Sequence, residues 1–359
     1  MDTPLLLQAF KGTNKKIPVW FMRQAGRYLP EYQAIRKEHS LEEMFQTPEI
    51  AAEVTCLPID ILNVDAAILF ADILTLPALM GFNIHFSKEN GPVIGNPLRQ
   101  ASDINRIHAA EDFSRVAKTI QLCRKKLPKH IPLIGFAGAP FTVLSYLIEG
   151  GSSVSFTKTL KLMQSDPVFF HKAMVLLTES TILYLNAQKK AGIQVFQLFD
   201  TWGGILRDQD YRQYVLPHVW KIFAAVNLPS IYYLKNSAHL LEAMTQCGAG
   251  FLSVCETVNL KSNAILEDCG KGIQGNFYNG LLYADLPVIK KEVKALLKVA
   301  QPYPCQRIRA TAGSVANEQP YWFVRIILSV YRTRQQEQAV RQSSHDRSHD
   351  FLSSIKHQD

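Results

Sequence analysis

A chain of 359 residues with 47% hydrophobic and 19% charged residues has ample material for a large buried core, which excludes a mainly disordered or fibrous protein. Its net charge of +8 does not come from a basic arm, because from Arg332 onward five Lys/Arg face four Asp/Glu and the excess stays in the body of the chain. A basic body suits an anionic partner, but no Lys/Arg-rich run with interleaved aromatics occurs, which places nucleic acid lowest among the candidates.

The six cysteines include no C-x-x-C pair and no His/Cys cluster at zinc spacing, so free thiols in a reducing compartment and no metal site are expected. The first residues show no charged-then-apolar leader, and no apolar run reaches ~18 residues without an ionisable interruption. The expectation is a cytoplasmic protein with no membrane partner.

In chain order, residues 18–22 are β-formers that turn abruptly polar at Arg23-Gln24-Ala25-Gly26-Arg27. Two guanidiniums four residues apart with small residues between them make a compact cationic loop, suited to gripping carboxylate or phosphate. Ordinary surface ion pairs are the alternative. Ser40-Leu41-Glu42-Glu43 reads as a capping box, and Thr47-Pro48-Glu49 as a second helix start. Residues 64–70 form a near-continuous apolar run, as in a strand covered on both faces, and lead into Asp72. A carboxylate at such a strand end is either a catalytic group of an α/β barrel or the cap of the next helix.

Residues 81–105 carry scattered Gly and Pro and read as a long excursion. The next apolar strand, 131–138, runs into Ala139-Pro140-Phe141-Thr142 and a helix containing Tyr146. Ser165-Asp166-Pro167 opens a long helix that stops at Gly192. A strand at 193–199 ends in Asp200-Thr201-Trp202-Gly203-Gly204, and one helix over 211–226 follows. Further strands are predicted at 230–234, 250–255, 272–277 and 306–310, with helices starting near Ser237, Lys261, Asp285 and Asn317. About eight strand–helix units imply a parallel sheet closed into a single-domain (β/α)8 TIM-type barrel over residues 1–334. No G-x-G-x-x-G turn supports a dinucleotide fold, and 335–359 read as a polar, disordered tail.

Met22-Arg-Gln-Ala-Gly-Arg-Tyr-Leu-Pro-Glu-Tyr32 and Gly135-Phe-Ala-Gly-Ala-Pro-Phe-Thr-Val-Leu-Ser-Tyr-Leu-Ile-Glu-Gly150 resemble two signatures of the uroporphyrinogen decarboxylase family. Phe70-Ala-Asp-Ile-Leu74 and Phe199-Asp-Thr-Trp-Gly-Gly204 match it in type and order, and the resemblance extends over about residues 4–330. It implies a cofactor-free barrel, generally a homodimer, that removes carbon dioxide from the four acetate arms of uroporphyrinogen III. The product is coproporphyrinogen III, on the way to haem. By the same resemblance, Arg23 and Arg27 hold substrate carboxylates, with Gln24, Ala25 and Gly26 supplying backbone between them. Asp72 bonds the pyrrole N–H groups, Tyr146 stands in the cleft, and Thr201 occupies a Ser/Thr position.

The chemistry is consistent with those residue types. Losing carbon dioxide from an acetate on a pyrrole needs an electron sink, which protonation of a pyrrole carbon creates as a cationic iminium. An ionised carboxylate in a sheltered cleft stabilises that cation, and a buried arginine pair in a basic body suits an octacarboxylate. Arg23 is the candidate for orienting or relaying the proton.

Three strand ends depart from the family pattern. Ala310-Thr-Ala-Gly-Ser314 stands in place of Asn-Leu-Gly-His-Gly, with Gly313 at the histidine. Leu252-Ser-Val-Cys-Glu256 replaces Gly-Leu-Asp-Trp, and Gln274-Gly-Asn-Phe-Tyr-Asn279 replaces Gln-Gly-Asn-Leu-Asp-Pro. They leave open an impaired or non-catalytic tetrapyrrole-binding relative. Corrinoid-dependent methyltransferases, which share the barrel, bind zinc through His and Cys at strand ends, a cluster this sequence lacks.

Overall fold

An apolar run with no polar alternation, such as Leu133–Gly138, is accommodated by a strand covered on both faces. In the computed structural model, which describes residues 3–87, 91–261, 263–299 and 308–309, all six residues of that strand are buried. In chain order the strands are β1 (Ala67–Ile68), β2 (Ile84–Ser87), β3 (Gly91–Ile94), β4 (Leu133–Gly138), β5 (Val195–Asp200), β6 (Ser230–Leu234), β7 (Phe251–Ser253), β8 (Gly272–Gln274) and β9 (Ile308–Arg309). Seven of them form one parallel sheet in the order β1-β4-β5-β6-β7-β8-β9. Within this sheet each strand pairs with the next of the seven in chain order, the β2–β3 pair standing between β1 and β4, and helices lie in the connections, as expected for repeated strand–helix units.

The first predicted strand, 18–22, is reduced to a single bridging residue. The Val19 carbonyl accepts the Asp65 amide at 2.8 Å, and the Val19 amide donates to Asp65 Oδ2 at 2.7 Å, which aligns this stretch with the chain entering β1. The predicted excursion at 81–105 contains an antiparallel pair instead, β2 with β3, in which Ile84 faces Ile94 and Ser87 faces Gly91. Gly91 and Pro92 read as breakers in sequence, yet they fit at the first positions of a short strand, whose outer side is met only further on, where Val93 bridges Gly151 and the Ile94 amide donates to the Gly150 carbonyl at 2.9 Å. The helix predicted over 211–226 is two, Asp208–Tyr214 and Leu216–Ala225. Pro217 has no amide to continue the first helix and instead sits in the opening turn of the second.

Capping follows the sequence closely. Ser40 Oγ accepts the Glu43 amide at 3.0 Å, although the Glu43 carboxylate turns to His39 Nδ1 at 2.8 Å rather than closing the box. Asp166 Oδ1 accepts the Phe169 amide at 3.0 Å and opens helix Pro167–Ala191, which ends at Gly192 with φ of 120°. This helix is long and apolar enough to cross a membrane, but its Phe170, Leu177, Tyr184 and Leu185 are buried in the protein core. Gln188 at its end grips β4, accepting the Phe136 amide at 3.1 Å and donating to its carbonyl at 2.8 Å. Only a glycine fits opposite, since a Cβ on Gly135 would lie 2.3 Å from Gln188 Oε1. Residues 310–314, the helix start at Asn317 and the tail 335–359 lie outside the described residues.

Candidate active site

A parallel sheet brings the loops that follow its strands to one edge, where ligands bind in such folds. Here those loops and the arginine loop line a cleft of about 1290 Å³, larger than the roughly 300–1,000 Å³ of an ordinary small-molecule site. The cleft gathers Arg23, Ala25, Gly26, Arg27, Asp72, Tyr146 and Thr201, which come from well-separated segments of the chain.

Gln24 is the exception. Its side chain is turned inward and buried, donating to the Ala66 carbonyl at 3.0 Å and accepting the Phe21 amide at 3.2 Å. Its carbonyl accepts the Tyr28 hydroxyl. Gln24 thus fastens the arginine loop to the stretch leading into β1, and the Tyr28 ring lies beneath Gly26, where a Cβ would come within 3.1 Å. The two arginines are exposed in the cleft rather than buried as the sequence suggested, and neither forms an ion pair among the described residues. Their charge is left available to a ligand.

Asp72 combines both readings of its position. Oδ1 accepts the Leu74 amide at 2.8 Å and the Asp72 amide donates to Thr75 Oγ1 at 3.2 Å, which forms the turn into helix Thr75–Leu79. Oδ2 has no hydrogen bond among the described residues. Enclosure by protein raises the Asp72 carboxyl above its ordinary range, while the Leu74 amide and the Arg23 charge work against that rise. Tyr146, on helix Pro140–Glu149, packs its ring against that of Trp202 with centroids 5.9 Å apart, and burial followed by the nearby Asp72 charge raises its phenol.

Two further groups were not singled out in the sequence. Asp200, at the end of β5, is fully buried and accepts from Thr142 Oγ1 at 2.5 Å, from the Tyr232 hydroxyl at 2.8 Å and from the Gly203 amide. Thr142 in turn accepts the Trp202 amide at 3.0 Å, so this network sets the loop that presents Thr201 and Trp202. Lys235, just past β6, lines the cleft with its ammonium 5.7 Å from the centre of the Trp202 ring and no ion pair among the described residues. Its backbone is held by close passage of Gly204, where a Cβ would lie 1.9 Å from the Lys235 carbonyl. A polar residue directly after a buried strand was the available signal in both cases, the same one that marked Asp72. The departing strand ends are neighbours as well: Cys255 and Glu256 after β7 and Asn276 and Asn279 after β8 line one wall, and Gly313 lies outside the described residues.

A parallel α/β sheet with unpaired cations and a sheltered carboxylate at its loop-bearing edge defines a protein built to hold an anionic organic molecule. A family model described as Uroporphyrinogen decarboxylase (URO-D) matches residues 1–317. The uroporphyrinogen decarboxylase of Geobacter sp. (strain M21) is 42% identical over 304 residues, covering 83% of this chain and 88% of its own. That of Geobacter sulfurreducens is 39% identical over 326 residues, covering 89% and 95%. The chain belongs to the uroporphyrinogen decarboxylase family. Among solved structures, a methyltransferase from Methanosarcina mazei superposes with a TM-score of 0.79 over 92% of this chain and 99% of its own, at 22% identity. A B12-independent methionine synthase from Shewanella sp. W3-18-1 gives 0.58 at 8% identity, with 83% and 91% covered. At these identities both speak to the fold alone.

Proposed function

We propose that this protein removes carbon dioxide from the four acetate arms of uroporphyrinogen III, giving coproporphyrinogen III for haem synthesis. The observation that carries the reading is the meeting of Arg23, Arg27, Asp72, Tyr146 and Thr201 in one cleft, in a chain about 40% identical to decarboxylases along most of its length. That identity also favours turnover over a non-catalytic tetrapyrrole binder, and over a corrinoid-dependent methyltransferase. The sheet closes into a (β/α)8 barrel, the enzyme works as a cytoplasmic homodimer, and its partner is a small polyanion rather than nucleic acid or membrane.

Arg23 and Arg27 grip carboxylate arms at one side of the macrocycle, each open to solvent before substrate arrives. Asp72 offers Oδ2 to the pyrrole N–H groups at the centre of the ring. When a pyrrole carbon is protonated, the ring becomes cationic, and the ionised Asp72 carboxylate stabilises it while the bond to the departing carboxylate breaks. The electrons of that bond neutralise the iminium and leave an exocyclic methylene; a proton then adds to that methylene carbon while the ring carbon gives up the proton it had gained, which restores the pyrrole with a methyl arm. Burial raises the Asp72 carboxyl, and the Arg23 charge works against that rise while Arg23 orients the arm that reacts. Anaerobic incubation with uroporphyrinogen III, with products separated by carboxylate number, tests the reading. Absence of every hepta- to tetracarboxylate product would overturn it.

Arg23 lowers the Asp72 carboxyl, so Arg23→Gln removes a restraint on a group that burial already raises. The acid limb of the kcat/KM profile should therefore move to higher pH in this variant, beyond any general loss of affinity. A limb that stays in place would mean that Asp72 does not carry it. Lys235, directly after β6, adds a further positive charge to the cleft lining. Being exposed, it contributes modestly: Lys235→Gln should raise KM about 2–5-fold with kcat unchanged, and the difference should shrink in high salt.

A further inference from the structure

An extended strand sends successive side chains to opposite sides of its sheet. At the end of β6, Tyr232 and Leu234 are wholly buried, and the Tyr232 hydroxyl meets that of Tyr211 on helix Asp208–Tyr214 at 2.9 Å. Tyr233 takes the other side and lines the cleft. The Lys235 amide donates to the Asp200 carbonyl at 3.4 Å, which carries the β5–β6 ladder one residue further and turns Lys235 to the same side as Tyr233. Neither the phenol hydroxyl nor the ammonium has a hydrogen bond or an ion pair among the described residues.

Both groups are held in place by packing. The Tyr233 ring meets Phe199 edge-on with centroids 5.6 Å apart, and Phe199 meets Phe136 in the same way at 5.4 Å, an aromatic row that crosses β6, β5 and β4 along the cleft. The Lys235 ammonium stands over the Trp202 ring, which itself packs on Tyr146 and Phe156. Burial, followed by the Cys255 and Glu256 charges, pushes the Tyr233 phenol up to about 12, so it remains a neutral donor wherever carboxylates are ionised. Glu256 lines the same cleft but makes no ion pair with Lys235.

We propose that Tyr233 and Lys235 form a second carboxylate clamp in the cleft, and that this clamp holds a propionate arm of the porphyrinogen. The phenol O–H and the ammonium donate to the oxygens of one carboxylate, and both bonds are charge-assisted. Two residues apart on an extended strand, the pair has Cα atoms ~6.6 Å from each other, a spacing that two long side chains close onto a single carboxylate.

The choice of arm follows from the order of the sheet and rests on the decarboxylase reading. Asp72 follows β1, and β6 lies beyond β4 and β5, ~14 Å away along the curved sheet. An arm seated on Tyr233 and Lys235 is therefore not the acetate that reacts beside Asp72. The acetates become methyl groups in turn, whereas the propionates keep their charge. Only a propionate can fill this place from the first decarboxylation to the last.

The test titrates the full-length protein with coproporphyrin III, which carries propionates and no acetates, and with uroporphyrin III, which carries both. Tyr233→Phe keeps the ring on Phe199 and removes only the hydroxyl, and it should weaken coproporphyrin binding about 5–10-fold. Lys235→Gln should weaken it about 2–5-fold, as befits an exposed ammonium. Because both donors hold one carboxylate, the double variant should lose less than the product of the two single losses. Unchanged coproporphyrin affinity in both single variants would overturn the clamp, and losses that simply multiply would overturn the shared arm. A loss confined to uroporphyrin III would hand the contact to an acetate and overturn the propionate assignment. Turnover of uroporphyrinogen III by the parent is measured separately. A parent that binds both porphyrins without turnover defeats the decarboxylase reading while the titrations still decide the clamp, and a parent that binds neither porphyrin overturns both.

Discussion

Asp72→Asn should lower kcat for acetate removal at saturating substrate at least about a hundredfold while leaving the fold close to that of the parent, because a preorganised charge facing a developing ion is commonly worth ~10²–10³ in rate. An Asn oxygen can still accept the Leu74 amide that Asp72 Oδ1 accepts at 2.8 Å, so the turn into helix Thr75–Leu79 survives. What disappears is the negative charge that balances the protonated pyrrole. The measurement is single-turnover decarboxylation under anaerobic conditions beside a binding titration with a porphyrin polycarboxylate. Near-normal turnover at saturating substrate would refute the electron-sink account, whereas weaker binding with kcat unchanged would assign Asp72 to substrate holding alone.

The second large effect concerns stability. Asp200→Ala should cost about 3–5 kcal/mol, since buried groups that lose a charged partner are left unsatisfied. The groups are the Thr142 hydroxyl, the Tyr232 hydroxyl and the Gly203 amide. Denaturant titration reads it as a lower midpoint with an unchanged slope; a loss near zero would mean the network rearranges freely. The same carboxyl gives a pH signature. Burial raises it from 3.8 to about 6, with the Thr142, Tyr232 and Gly203 donors resisting. The native state therefore holds this proton where the unfolded chain has released it. The group's contribution is greatest below the unfolded value and declines as pH rises to the folded one, by roughly 3 kcal/mol at ~1.36 kcal/mol per unit. Asp200→Asn, neutral in both states, should gain on the parent by that amount between about pH 4 and about pH 7. A pH-independent difference would contradict the raised value.

Much of the fold was legible because buried parallel strands have a one-sided vocabulary. Residues 131–138 are apolar throughout and 193–199 are so except at Gln194 and Gln197, and the structure places β4 within the first run and β5 from within the second to one residue past its end. Helix ends were legible where the cap chemistry is local, as at Asp166 and Gly192. The β2–β3 pair was not, because its partners are each other and Gly91 and Pro92 speak for a loop. The break at Val215 was missed because an apolar face runs through both helices, and only Pro217 marks it.

The site divides along similar lines. Arg23, Arg27 and Asp72 were legible as polar groups at the ends of apolar runs, yet the exposure of the arginines was not, since it depends on how far the opposite wall stands away. Lys235 follows the same rule as Asp72 but lies among unremarkable neighbours, so only the three-dimensional wall reveals it. Asp200 belongs to a motif that directs attention to Thr201. Its own task depends on Thr142 and Tyr232, 58 and 32 residues away in the chain.

Gln24 carries a consequence for binding thermodynamics. With its side-chain amide bonded to the Phe21 and Ala66 backbone, and its carbonyl to the Tyr28 hydroxyl, the loop between the two arginines holds its shape before any ligand arrives. Association then has little chain left to order. The heat-capacity change on binding a porphyrin polycarboxylate should match the surface buried against the ligand, without the larger negative value of a segment that folds as it binds. Loosening that one amide would convert a rigid receptor into one that must fold around its guest.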